Sequence, residues 1–155
     1  MSGRIDARLK ELGIDLPNAA APAANYVPYV VSGKMVFVSG QIPVLNGDIK
    51  FKGKIGVDLT VEQGQESARL CALNLIAQAK AAAGGDLDRI ARVVKLGGFV
   101  ACPADFGDQP EVINGASNLM VDVFGDAGRH ARFAVGANVL PRNVATEVEA
   151  IFELV

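Results

Sequence analysis

The chain has 155 residues, half of them apolar and 21% charged. That composition supports one domain with a sizeable core and excludes disorder as its main state. Fifteen basic against seventeen acidic residues give a net charge of −2, which argues against a protein built mainly to grip a phosphate backbone.

The two cysteines, Cys71 and Cys102, lack CxxC spacing, so neither a metal site nor a disulfide is expected, and a reducing, cytoplasmic setting is the default. The N-terminus has no apolar signal core, and the apolar runs fall short of the ~20 residues that span a bilayer. No membrane association is expected.

In chain order, residues 4–12 place Ile5, Leu9 and Leu12 on one helical face, and Gly13 supplies the stop. Pro17 to Ala24 reads as a loop or extended arm, because proline lacks a donor and disfavours helix before it. Tyr29–Val31 and Met35–Val38 flank Ser32-Gly33-Lys34 and predict a hairpin. Ser39-Gly40-Gln41-Ile42-Pro43 breaks the second strand. Asn46-Gly47 predicts a turn, and Ile49-Lys50-Phe51-Lys52 alternates like a half-exposed strand.

Thr60 and Gln63 form a capping-box pattern, and a long helix follows, ended by Gly84-Gly85. Leu87 to Val100 turns from a short helical piece into a strand over 93–100. A helix from about Gln109-Pro110 to Phe124 buries Val112, Ala116, Leu119, Met120 and Val123, and Gly125 stops it. Strands over 130–139 and 145–154 close the chain. The order predicts a single α+β domain over residues 1–155, with two main helices on one face of a mixed sheet. Residues 1–20 form an N-terminal helix and arm. Met35–Val38 and Phe133–Ala137 are nearly continuous apolar runs, the pattern of strands buried on both faces. Two helices cover one face, so other subunits are expected on the second.

The single histidine, His130, has no second histidine for a metal set and reads as a solvated or hydrogen-bonded structural residue. No GxSxG elbow, P-loop or dinucleotide fingerprint is present, and Gly97-Gly98 reads as a bulge or close approach within a strand. Arg132 opens an apolar strand. It is edge-exposed, paired, or waiting for an anion. Glu147 and Glu149 share a face of the last strand. By pattern alone, an Arg132–glutamate pair across a terminal hairpin is favoured over a ligand site.

Ser39-Gly40-Gln41-Ile42-Pro43, Gly128-Arg129-His130-Ala131-Arg132, Leu140-Pro141 and Glu147-Val148-Glu149-Ala150 together resemble the reactive-intermediate deaminase family. That family is also called YjgF-like or endoribonuclease L-PSP. The chain is most similar to its longer branch, which has an N-terminal helix. The resemblance implies a chorismate-mutase-like fold and a homotrimer with clefts between subunits. It implies hydrolysis of 2-imino or enamine acids to 2-keto acids and ammonia, with no cofactor and no metal. Arg132 would bind the substrate carboxylate and Glu147 would orient the attacking water. Tyr29, Ser39, Gly40 and Gln41 would line the cleft, and Asn114, Ser117 and Asn118 are the candidates for a cleft amide. Where deaminase members commonly carry Cys two residues after the arginine, this chain has Ala134. Two other readings use the same fold: a non-catalytic trimer that binds small carboxylates such as keto acids, and an endoribonuclease. No nucleic-acid partner is expected from the charge balance.

Overall fold

The computed structural model describes residues 3–21 and 25–155. Helix α1 (Arg4–Glu11) buries Ile5 and Leu9, as the apolar spacing predicts. Its free backbone donors are satisfied from far along the chain. The Asp88 carboxylate accepts from Arg4 N at 2.8 Å and from Ile5 N at 2.9 Å. These two bonds hold the Asp88 carboxyl below its usual range. Residues 17–21 of the expected arm are irregular, and the rest of it, 22–24, lies outside the described residues.

Strands β1 (Tyr29–Ser32) and β2 (Met35–Gln41) pair antiparallel around a turn with Gly33 at φ +62°. Strands β3 (Val44–Leu45) and β4 (Asp48–Ile49) form a separate short ribbon. The strand expected over 49–52 stops after Ile49. Phe51 takes a left-handed backbone at φ +54°, which ends extended pairing, and only an isolated bridge joins Lys52 to Val144.

Helix α2 (Val61–Ala82) starts at the predicted capping box: Gln63 N donates to Thr60 Oγ1 at 3.1 Å, and Thr60 N donates to Gln63 Oε1 at 2.9 Å. Strand β5 (Ile90–Ala101) follows, then α3 (Gln109–Phe124), β6 (Ala131–Ala137) and β7 (Thr146–Leu154). Gly125 ends α3 at φ +63°.

The main sheet has the order β1-β2-β7-β5-β6, with β5 and β6 parallel and the other pairs antiparallel. The expected hairpin of the last two strands is therefore not formed. β5 lies between β6 and β7, because α3 carries the chain across the sheet and delivers β6 parallel to the strand it left. Arg132 sits in register with Leu96 and not with a glutamate.

Helices α2 and α3 pack together on one face, α2 over β2 and β7, α3 over β5 and β6. That face carries the core, including Val36, Val93, Leu96, Val148 and Phe152, all fully buried. Polar groups in it are paired: the Ser67 and Thr146 hydroxyls bond at 2.6 Å. Burial pushes the Cys71 thiol up to about 12, so it is an inert core residue. The second face carries Phe37, Phe99, Phe133, Val135 and Ile151 beside Lys95, Glu147 and Glu149; among the described residues no α-helix packs over it, and Leu140 and Val144 meet Phe99 and Ala101 at one end. Phe37 is 46% and Val135 43% exposed. The runs predicted to be buried on both faces are thus covered on one within a single chain.

Candidate functional site

The sequence-predicted site residues fall into two groups at separate places on the sheet. The first surrounds β6. Alternation along β6 follows its partner β5, so Arg132 shares the helix side with buried Leu96, while Phe133 shares the open side with Gly97. Arg132 Nη1 donates to Asn114 Oδ1 at 2.9 Å and to Ser117 Oγ at 3.2 Å. Asn114 and Ser117 are three residues apart on α3 and so share a helical face. Asn118 is exposed and makes no recorded bond to Arg132. Among the described residues no carboxylate lies in salt-bridge range of Arg132. The guanidinium is half-buried and held by neutral acceptors on one nitrogen, and among the described residues its Nη2 and Nε donors have no hydrogen-bond partner.

His130 extends this group. Its Nδ1 lies 2.6 Å from the Gly128 carbonyl and its Nε2 lies 2.9 Å from Ser117 Oγ. A carbonyl only accepts, so Nδ1 carries the ring proton. Nε2 of the neutral ring is then bare and accepts from the Ser117 hydroxyl. Burial, and the Arg132 charge, hold the His130 pKa below 6.5, against the opposing pull of the Gly128 bond. The expectation of a hydrogen-bonded histidine fits this geometry. Its connection to Arg132 through Ser117 is not visible in sequence, because the thirteen residues from Ser117 to His130 cross a helix end and a turn.

The second group surrounds the irregularity in β2 between Val38 and Gln41. The Ser39 hydroxyl donates to the Val27 carbonyl at 2.8 Å, and Gln41 Nε2 donates to the Ser39 carbonyl at 2.9 Å. Gly40 leaves room for Glu147: a methyl at Gly40 would lie 2.7 Å from Glu147 Oε1. Glu147 is half-buried on the open face of β7. Loss of solvent, and repulsion from Glu149, raise its carboxyl above 4.5. A cleft of about 270 Å³ opens here, lined by Ser39, Gly40 and Gln41 together with Tyr26, Ala21 and Asn74. Tyr29 packs against the core instead. Asn74 was not anticipated. It is an amide inside the apolar stripe of α2, and its Nδ2 holds the Val44 carbonyl at 2.9 Å. A polar residue on a buried helical face is the signal that marks it.

Arg132 and Glu147 thus lie on opposite faces of the sheet, two strands apart, or roughly 10 Å between their strands. One chain does not bring them to a common point. No cluster of three or more metal-ligating side chains occurs among the described residues, and no helix among them is long and apolar enough to cross a membrane.

Comparison with known proteins places this architecture. The family model described as "YjgF/chorismate_mutase-like, putative endoribonuclease" matches residues 6–154. The chain is 53% identical over 154 residues to Protein TCP17 of Trypanosoma cruzi, covering 99% of this chain and 96% of that one. It is 52% identical to the crystal structure of Atu1372 from Agrobacterium tumefaciens, a protein of unknown function, with TM-score 0.91 over 97% of this chain and 92% of that one. It is 30% identical to E. coli TdcF with bound serine, with TM-score 0.60 over 90% of this chain and 92% of that one. With its mixed sheet, paired helices and short N-terminal helix, the chain belongs to the YjgF/chorismate mutase-like family.

Proposed function

We propose that the protein hydrolyses reactive 2-imino and enamine acids to 2-keto acids and ammonia, in clefts between the subunits of a homotrimer. The observation that carries this reading is Arg132: a half-buried guanidinium, fixed by Asn114 and Ser117, with free donors and no carboxylate partner among the described residues. Such a group receives a planar carboxylate on two parallel bonds and fixes the adjacent imine carbon. Binding of serine by TdcF supports a small carboxylate as the ligand class.

Glu147 supplies the second function. A carboxylate raised above its ordinary range is a better base for water than a fully solvated one. Water adds to the imine carbon while Glu147 takes one of its protons and passes it to the nitrogen; the resulting carbinolamine then breaks its C–N bond, its hydroxyl proton moving to the nitrogen as the C=O bond forms, and ammonia leaves. Because Arg132 and Glu147 lie on opposite faces, the cleft takes Arg132 from one subunit and Glu147, with the Ser39-Gly40-Gln41 turn, from the next. The uncovered apolar face, with Phe37 and Val135, supports the same assembly.

Mixing tests this directly. Arg132→Ala and Glu147→Gln are each expected to be inactive in an assay where semicarbazide competes for freshly generated imino acid. Refolded together, they are expected to regain activity, because mixed trimers contain clefts with both native residues. Absence of recovery in verified mixed trimers overturns the shared cleft. A trimer that binds small carboxylates without turnover is the second reading, favoured by the bound serine of TdcF. Under it, Glu147→Gln binds pyruvate as the native protein does, and neither accelerates imine hydrolysis.

A further inference from the structure

The chain of contacts around Ser117 has the form of an activated nucleophile. The Gly128 carbonyl orients the His130 ring at 2.6 Å, the bare Nε2 faces Ser117 Oγ at 2.9 Å, and Arg132 Nη1 donates to the same oxygen at 3.2 Å. A serine, a base within hydrogen-bond reach and a third group orienting the base are the parts that nucleophilic catalysis requires. Here a backbone carbonyl replaces the usual carboxylate as the orienting group. The guanidinium beside Oγ favours its alkoxide, and its remaining donors face no carboxylate among the described residues.

We propose that Ser117 and His130 form a nucleophile–base pair and give the protein a second activity, hydrolysis of esters of small acids that carry a further carboxylate. Arg132 holds that carboxylate. Ser117 Oγ attacks the ester carbon while His130 Nε2 takes its proton, so an Oγ–C bond forms and the carbonyl becomes an oxyanion. Collapse breaks the ester C–O bond, and Nε2 returns the proton to the departing alkoxide. Water then adds to the acyl-serine with His130 again as base, releasing the acid and restoring Ser117. The site departs from the imine reaction in both nucleophile and base, and requires neither Glu147 nor turnover of an imine.

The test uses the full-length protein and a fluorophosphonate probe, with the adduct located by peptide mass spectrometry. A single adduct on Ser117 is expected, absent in Ser117→Ala and formed at least tenfold more slowly in His130→Gln. A labelling rate unchanged in His130→Gln, or no adduct on Ser117 in the native protein, overturns the proposal. A thiol keeps the test independent of a folding defect in Ser117→Ala. Iodoacetamide is expected to alkylate folded Ser117→Cys at least tenfold faster than folded Ser117→Cys/His130→Gln, with Cys71 and Cys102 protected by burial. Equal rates in that pair also overturn it. Failure of deamination leaves these readouts unaffected, so the two activities stand or fall separately.

Discussion

The two faces of the main sheet handle charge in opposite ways. On the helix-covered face, the Arg132 guanidinium donates to the neutral groups of Asn114 and Ser117. On the open face, Glu147 sits near Glu149 and is partly desolvated, and its carboxyl is pushed toward neutrality. A packed helix can supply fixed dipoles to a guanidinium. Glu147, packed against Gly40 of β2, loses solvent without gaining a fixed donor among the described residues. The lesson is that one sheet can hold a permanently charged group and a titratable carboxylate on opposite faces, two strands apart.

The largest expected effect comes from removing the base. Glu147→Gln is expected to lower kcat by about 10²–10⁴, the usual range for general-base loss, with affinity for a carboxylate ligand unchanged. Calorimetric titration with pyruvate beside the semicarbazide assay measures both. Arg132→Lys tests the other face. An ammonium keeps the charge and loses the planar fork, so the carboxylate is expected to bind more weakly by about 1.5–3 kcal/mol, the worth of a charged hydrogen bond. The readout is a raised KM.

Adjacent glycines in β5 sharpen the comparison for packing. A methyl at Gly98 would meet three Ile113 atoms at 2.7 Å, in the packed layer between sheet and α3. A methyl at Gly97 would meet the Phe133 ring at 2.5 Å and Glu149 at 2.9 Å, on the uncovered face where both side chains can swing away. Gly98→Ala is expected to cost about 1–3 kcal/mol in urea unfolding, and Gly97→Ala less. Equal costs, measured at a protein concentration where the chain is monomeric, would refute the contrast.

The smallest effects are in pH. Glu147 binds its proton more tightly in the folded chain than its ordinary 4.5, so stability falls as pH rises from 4.5 through the raised value. His130 binds its proton less tightly than its ordinary 6.5, so stability rises with pH from the lowered value up to 6.5. Thermal melts across this range are expected to lose the first slope in Glu147→Gln and the second in His130→Gln.

Much of this was legible in the sequence, and the exceptions have physical causes. The capping box at Thr60 and Gln63, the apolar stripe of α3 and the glycine stop at Gly125 are local, so residue spacing exposes them. The i, i+3 relation of Asn114 and Ser117 likewise predicts a shared face, and puts Asn118 roughly 100° further round the helix. Strand adjacency is not local. Nothing in residues 131–154 states that β5 will separate β6 from β7, and for that reason the Arg132–glutamate hairpin pair fails. The end of the strand at Phe51 is also hidden, because a left-handed aromatic residue is held there by its surroundings and not by its own preference. The Ser117–His130 contact depends on how the turn after α3 refolds the chain onto the helix.

The strand order also sets the order of assembly. β7 lies between β2 and β5, and its residues 146–154 pair with 35–41 and with 90–100. The sheet therefore has no continuous middle until its last strand has been synthesised. On a ribosome, β1–β2 and β5–β6 can exist only as two fragments with unpaired edges, waiting for the same short segment. Folding of this chain is expected to be slow for its size, as non-local pairing requires. The nascent protein would be a client for chaperones that shield strand edges.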